Sequence, residues 1–216
     1  MESPSGRSII EWLRRELAEE NKAILEHPFI QAAEAGRLSR SSLEAFIVNQ
    51  LYIVPHDLRS LLHLASRSLY DDEVKFFMML AEGDAKALVE LRKLASELGV
   101  SYSPEKVDPR AVAYTHYLSW LALHATLGEA AVALIVNLPV WGSNVCKLAR
   151  ILRESYGVKE VGFLELFCGP YESLEEASYP IVERYYNPER YLLAARMIQA
   201  YERMFWDVVY EAGSHG

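Results

Sequence analysis

The sequence has few cysteines and no long uninterrupted apolar run. Cys146 and Cys168 are too few for a disulfide scaffold and too far apart for a CxxC motif, so we expect two free thiols in a reducing compartment. No apolar run reaches the roughly 18 residues that a membrane helix needs, and residues 1–7 lack the apolar core of a signal peptide. The sequence therefore predicts a cytoplasmic protein with no membrane partner.

Basic residues are outnumbered and dispersed. The chain has 22 Lys and Arg against 30 Asp and Glu, a formal net charge of −8. This charge repels a polyanion such as DNA, and no basic recognition helix is present, so we expect no nucleic-acid partner. The sequence also lacks a nucleophilic serine elbow, a phosphate-binding loop and a dinucleotide fingerprint. These absences argue against the common hydrolase, kinase and dehydrogenase classes.

Apolar residues recur at spacings of three and four along most of the chain, which predicts an all-α protein. With 216 residues, of which 51% are apolar, one core can be filled, so we expect a single domain over 1–216 with a disordered tail at 213–216. Pro55 and Pro139 indicate kinks inside two long helices. The predicted helices are 8–26, a short one ending near 35, 42–69, 71–98, 110–127, 129–156, 163–186 and 188–212.

Glu202 lies inside the apolar stripe of the last predicted helix. An unpaired buried carboxylate is costly, so such a group needs a hydrogen-bond partner, a cavity or a proton held by a raised pKa. A carboxylic acid in that setting can transfer a proton near neutral pH. Alternatively, Glu202 lies at the edge of the stripe and pairs with a lysine or arginine. Periodicity alone leaves both interpretations open.

Other polar residues interrupt apolar stripes in the same way. The amide of Gln50 could match a heteroaromatic ring bearing an amino group, or it could be satisfied by a neighbouring backbone group. Asn137 precedes the kink at Pro139 by two residues and could simply bind carbonyl groups that the proline releases. The histidines have no acidic partner at the helical spacing of a carboxylate-bridged metal site, so we predict no metal.

Several segments together resemble the TenA family, which includes thiaminase II. They are HPF at 27–29, GRL at 36–38, NQLY at 49–52, the stretch 128–139, and YE and FW within 201–206. The resemblance implies a haem-oxygenase-like helical bundle without haem, with kinked long helices around one enclosed pocket. It also implies a homo-oligomer, either a dimer or a tetramer, and no cofactor. In thiaminase II the pocket binds the aminopyrimidine part of thiamin or of its breakdown products, and a C–N bond is hydrolysed.

Some residues match the family motifs directly. Glu202 corresponds to the catalytic glutamate, Tyr117 to a pocket tyrosine and Phe205 to a residue packed against the substrate. Tyr52, in the NQLY segment, is a further expected pocket residue. The resemblance therefore predicts Glu202 as the catalytic group and the three aromatic residues as substrate-binding.

Other positions depart from the family pattern. Val140 occupies the place of the nucleophilic cysteine, Gln50 that of a pyrimidine-binding aspartate, Asn144 that of a tyrosine and Phe167 that of another aromatic hydroxyl. We still expect these four side chains at the pocket. Because valine cannot attack a substrate, water would have to replace the missing nucleophile.

Three functions are consistent with these residues. The first is a divergent TenA-like protein of thiamin salvage that binds an aminopyrimidine or related small heterocycle and, if it is an enzyme, hydrolyses it with Glu202 as acid and base. The second is a non-catalytic ligand-binding or regulatory protein of the same fold. The third is an oxidase similar to pyrroloquinoline-quinone synthase or a metal-dependent oxygenase, which is disfavoured because 162–212 contains no histidine ligand.

Overall fold

The structure, a computed structural model, describes residues 4–215. Within this range the chain forms helices and connecting turns and no β-strand, so the predicted all-α fold is confirmed. The helices are α1 (Gly6–Glu16), α2 (Ala18–Leu25), α3 (Pro28–Glu34), α4 (Arg40–Arg67), α5 (Asp71–Glu97), α6 (Ala113–His124), α7 (Leu127–Ser155), α8 (Gly162–Glu165), α9 (Glu172–Arg184) and α10 (Pro188–Glu211). Short 3-10 turns lie at Pro104–Lys106 and Ala212–His215.

Two segments that periodicity predicts as single helices are each divided. The segment 8–26 breaks at Leu17, whose φ of −101° and ψ of 11° leave the α-helical region. The segment 163–186 breaks between α8 and α9, where Gly169 has a φ of 80° and Pro170 has no backbone N–H to continue a helix. Local backbone chemistry explains the second break, whereas the first depends on how α1 and α2 pack.

The predicted disordered tail, 213–216, lies partly within the described residues. Residues 213–215 belong to the 3-10 turn that follows α10, and Gly216 lies outside the described residues. Gly213 is so close to the hydroxyls of Ser39 and Ser42, at the start of α4, that a side chain there would collide with them. Gly213 therefore packs against the start of α4.

The kinked helix α7 forms the centre of the bundle and packs against α8, α9 and α10. It is the one helix among residues 4–215 that is long and apolar enough to cross a membrane by length and composition. However, 67% of its most apolar window is buried inside the protein. Such burial is typical of the core helix of a globular fold. The absence of a long uninterrupted apolar run in the sequence did not predict a helix of this length and hydropathy.

The apolar interior consists of two clusters of side chains. One is built around Phe29, Phe46 and Trp206, and the other around the first half of α7 together with α1, α6 and α10. Residues of both clusters, including Phe205 from the first and Leu134 from the second, border one internal cavity. The cavity therefore lies where the two clusters meet.

The prediction of two free thiols is wrong. Cys146 on α7 and Cys168 after α8 form a disulfide, with Cα atoms 5.2 Å apart. The turn that separates α8 from α9 brings Cys168 back against α7, which a linear spacing of 22 residues could not indicate. Disulfides persist mainly in oxidising compartments and in hyperthermophiles, so cysteine usage no longer supports the predicted cytoplasmic location.

Candidate functional site

Helices α4, α5, α6, α7 and α10 enclose the cavity, which has a volume of about 90 Å³. Its walls are largely apolar and aromatic. Trp141 meets Phe167 and Phe205 edge-on, with ring centroids 6.1 and 5.6 Å apart. The polar side chains at its wall are Gln50, Asp57, Asp84, Tyr114, Asn137 and Glu202.

Glu202 is the acidic group at the α10 wall of the cavity and is only 2% exposed. Its Oε1 accepts a hydrogen bond of 3.1 Å from Nε1 of Trp206, and its Oε2 accepts one from Nδ2 of Asn137. Burial raises the pKa of Glu202 to about 8, although both donors act in the opposite direction. Glu202 therefore carries a proton at neutral pH, and its partners are an indole and an amide rather than the lysine or arginine of the alternative interpretation.

Asn137 connects Glu202 to a wider network. Its Oδ1 accepts from the hydroxyl of Tyr114 at 3.1 Å, and its Nδ2 also donates to Oε1 of Gln199 at 2.8 Å. Gln199 in turn donates to Oδ1 of Asn21 on α2. Asn137 thus orients the acid instead of binding carbonyls freed by Pro139, and its position within an apolar stripe was the sequence signal.

Asp57 and Asp84 are cavity residues that sequence reasoning missed. Asp57 on α4 is 9% exposed, and Asp84 on α5 is partly buried. Burial raises the pKa of Asp57 well above its usual value, and the charge of Asp84 raises it further, whereas the nearby hydroxyl of Thr115 lowers it. Burial also raises the pKa of Asp84 to about 7. No motif marks either residue, and only the position of Asp57 two residues after Pro55 could have drawn attention to it.

The structure brings together four of the residues singled out from the sequence. Gln50, Phe167, Phe205 and Glu202 all line the cavity, although they lie on three separate segments of the chain. Gln50 is buried, and its side chain forms no hydrogen bond with another group of residues 4–215. Its amide is therefore available to a ligand in the cavity.

Tyr117 and Tyr52 lie outside this cavity. Tyr117 stacks on Trp120 and lines a separate open groove of about 500 Å³ between α6 and α10. Tyr114, which lies three residues earlier on α6, has its side chain at the cavity wall instead. The hydroxyl of Tyr52 is 3.1 Å from Nε2 of the exposed His116.

Val140 and Asn144 are also displaced from the expected positions. Val140 packs in the apolar cluster around Phe46 and does not border the cavity. Nδ2 of Asn144 donates to the carbonyl of Ile24 at 2.9 Å, so this amide joins α7 to α2. Because both cysteines of the chain form the disulfide, no thiol is available to act as a nucleophile.

The described part of the chain offers no cluster of metal-binding side chains. Within residues 4–215, no group of three or more histidine, cysteine, aspartate or glutamate side chains is arranged to hold a metal ion.

Known proteins share this architecture. A TenA homologue from Pyrococcus furiosus superimposes with a TM-score of 0.80 at 23% identity, over 94% of this chain and 100% of that chain. A putative TenA-like thiaminase from Sulfolobus solfataricus gives a TM-score of 0.72 at 19% identity, over 94% and 95% of the two chains. A Shewanella denitrificans domain of unknown function with a haem-oxygenase-like fold gives 0.74 at 12% identity, over 93% and 91%.

The two sequence comparisons differ in what they find. No curated protein matches the chain. The family model described as TENA/THI-4/PQQC matches residues 14–212, which is most of the sequence. The chain therefore belongs to the TENA/THI-4/PQQC family and has the haem-oxygenase-like helical fold of its structural relatives.

Proposed function

We propose that this protein binds an aminopyrimidine or a related small heterocycle in the cavity and hydrolyses a C–N bond of that ligand, with Glu202 as acid and base. The proposal is carried by the burial, the hydrogen bonds and the raised pKa of Glu202. It is a buried acid at the cavity wall, oriented by Asn137 and Trp206, with a pKa of about 8. A group with this pKa can both give and take a proton near neutral pH.

The reaction needs no protein nucleophile. With an amine or formylamino substrate, protonated Glu202 gives its proton to the leaving nitrogen as the C–N bond breaks, and water adds its oxygen to the carbon. The water then loses a proton to the carboxylate of Glu202, which restores the acid. With thiamin the ring nitrogen leaves with the bonding electron pair as a neutral thiazole, so ionised Glu202 only takes the proton that water loses. Acid–base catalysis by one oriented group typically supplies about 10²–10⁴-fold, so we expect slow turnover.

The size of the cavity limits how a ring can bind. An engineered cavity of about 150 Å³ is known to hold benzene, whereas this one has about 90 Å³. A pyrimidine ring must therefore displace wall side chains. Phe167, Trp141 and Phe205 are the aromatic groups that would flank it, and Gln50 supplies a free amide donor and acceptor.

Turnover by purified protein tests the proposal. Thiamin and the formylamino- and aminomethyl-derivatives of 4-amino-2-methylpyrimidine are incubated with the protein, and the products are measured by liquid chromatography. We expect Glu202→Gln to lose at least 100-fold in rate, whereas Glu189→Gln, at an exposed position on the same helix, keeps the wild-type rate. If none of the compounds is bound or converted, the proposal is rejected.

A non-catalytic binding protein is the second candidate. It is favoured by Val140 in place of the usual nucleophile and by the disulfide that removes both thiols. A protein of this kind binds the same ligands with equal affinity in the wild type and in Glu202→Gln, and it yields no product with either. Calorimetric titration beside the turnover assay separates the two candidates.

A further inference from the structure

Two carboxyl groups from neighbouring helices border the cavity besides Glu202. Asp57 projects from α4 and Asp84 from α5, and these two helices pack against each other. Burial raises the pKa of the Tyr114 hydroxyl, and the negative charges of Asp57, Glu202 and Asp84 raise it further, which indicates that all three carboxyl groups lie near this hydroxyl. The two aspartates therefore lie in the same cavity as the proposed acid, and the catalytic scheme above does not use them.

One carboxyl oxygen at the cavity wall lacks a hydrogen-bond partner. Asp57 is about nine-tenths buried, yet its Oδ1 has no hydrogen-bond partner within residues 4–215. Buried polar atoms are almost always hydrogen-bonded in folded proteins, so an unsatisfied carboxyl oxygen on a residue that borders the cavity indicates a missing partner.

The charge of the cavity specifies the kind of partner. Three carboxyl groups border it, and none of its lining residues is a lysine, arginine or histidine. A buried carboxylate needs either a proton or a cation, because the surroundings solvate its charge poorly. A ligand with a positively charged N–H group would supply both the missing donor and the missing charge.

We propose that Asp57 and Asp84 form a recognition site for a protonated nitrogen, so that the cavity selects small organic cations of the ammonium or amidinium type over neutral molecules of the same shape. The inference rests on the proposed function only in requiring that the cavity binds a ligand. Hydrolysis by Glu202 is not required. The aromatic walls add to the selection, because the faces of aromatic rings attract cations.

The test compares two molecules of equal size at neutral pH. 4-Aminopyridine is a cation under these conditions, and aniline is its neutral counterpart. Calorimetric titration measures both with the wild type, Asp57→Asn, Asp84→Asn and the exposed control Glu82→Gln on α5. We expect the wild type and Glu82→Gln to bind 4-aminopyridine at least ten-fold more tightly than aniline, as a buried charge-assisted hydrogen bond implies.

The variants separate this inference from the catalytic proposal. Asp57→Asn and Asp84→Asn should each reduce the preference for the cation by ten-fold or more while aniline affinity stays unchanged. The wild type should show the preference for the cation even if no turnover is ever found, in which case only the catalytic proposal fails. Thermal unfolding checks that the variants are folded, and the wild-type comparison does not depend on them.

Three results would overturn the inference. Equal affinity of the wild type for the two molecules shows that the cavity does not distinguish a cation from a neutral molecule, although a neutral ligand could still be hydrolysed. A cation preference that survives in both folded aspartate variants assigns recognition to other groups. If neither molecule nor any pyrimidine binds, both the inference and the proposed function fail.

Discussion

Replacing Glu202 with glutamine should change how the stability of this protein depends on pH. The carboxyl group has a pKa near 4.5 in an unfolded chain and about 8 when it is buried in the folded protein. The folded state therefore holds the proton more tightly, so the resulting stabilisation is fully present below about pH 4.5 and is lost as the pH rises through about 8.

The magnitude follows from the two pKa values. At about 1.4 kcal/mol for each unit of pKa, the full difference is at most about 5 kcal/mol. About 3 kcal/mol of this falls between pH 6 and pH 9, where most other carboxyl groups are already ionised. Glutamine keeps the size of the side chain and has no proton to lose. The free energy of unfolding of Glu202→Gln should thus fall by about 3 kcal/mol less than that of the wild type over this range.

Urea unfolding followed by circular dichroism at pH 6, 7, 8 and 9 measures the effect. Asp57 and Asp84 contribute their own pH dependence in both proteins, so the difference between the two curves isolates Glu202. Glu189→Gln should retain the wild-type curve. If Glu202→Gln and the wild type lose stability in parallel, burial does not hold a proton on Glu202, and its assignment as the acid is refuted.

Three further changes test other parts of the structure. Cys146→Ser opens the disulfide and should lower the free energy of unfolding by about 3 kcal/mol, the loop-closure value for a loop of roughly this length. Urea unfolding under non-reducing conditions measures this change, and an unchanged free energy would mean that the bond does not form. Tyr114→Phe removes the hydrogen bond from Tyr114 to Asn137 and should lower the free energy of unfolding by about 1 kcal/mol and weaken ligand binding in calorimetry. The control Tyr117→Phe, in the outer groove, should leave ligand binding unchanged. Gly128→Ala places a methyl group against the buried Tyr191 and should lower the free energy of unfolding by about 1–3 kcal/mol in urea unfolding; an unchanged value would contradict the close packing at this position.

The helical class and most helix positions could be predicted from the sequence, because they depend on local periodicity and on proline. The stripe on α10 also pointed to Glu202, and the stripe on α4 to Gln50, since a polar residue among apolar ones is visible in one dimension. Both do line the cavity. What periodicity could not decide was whether each stripe residue meets a neighbour or a cavity.

Tertiary packing decided the rest of the site. Tyr114 and Tyr117 are three residues apart on α6, yet Tyr114 lines the cavity and Tyr117 lines an outer groove. Matching a sequence motif does not show which of the two side chains faces the cavity. Asp57 and Asp84 lie on different helices, so their shared environment exists only after α4 packs on α5.

The same contrast holds for the chain as a whole. Its sequence by itself determined an all-α fold with kinked long helices and one acid in an apolar stripe, because those properties are encoded within single helices. Only the tertiary structure paired Cys146 with Cys168 and placed Glu202 beside Asn137, because these contacts join segments that are distant in sequence. The three carboxyl groups of the cavity likewise acquire their raised pKa values from burial, which no single helix can produce.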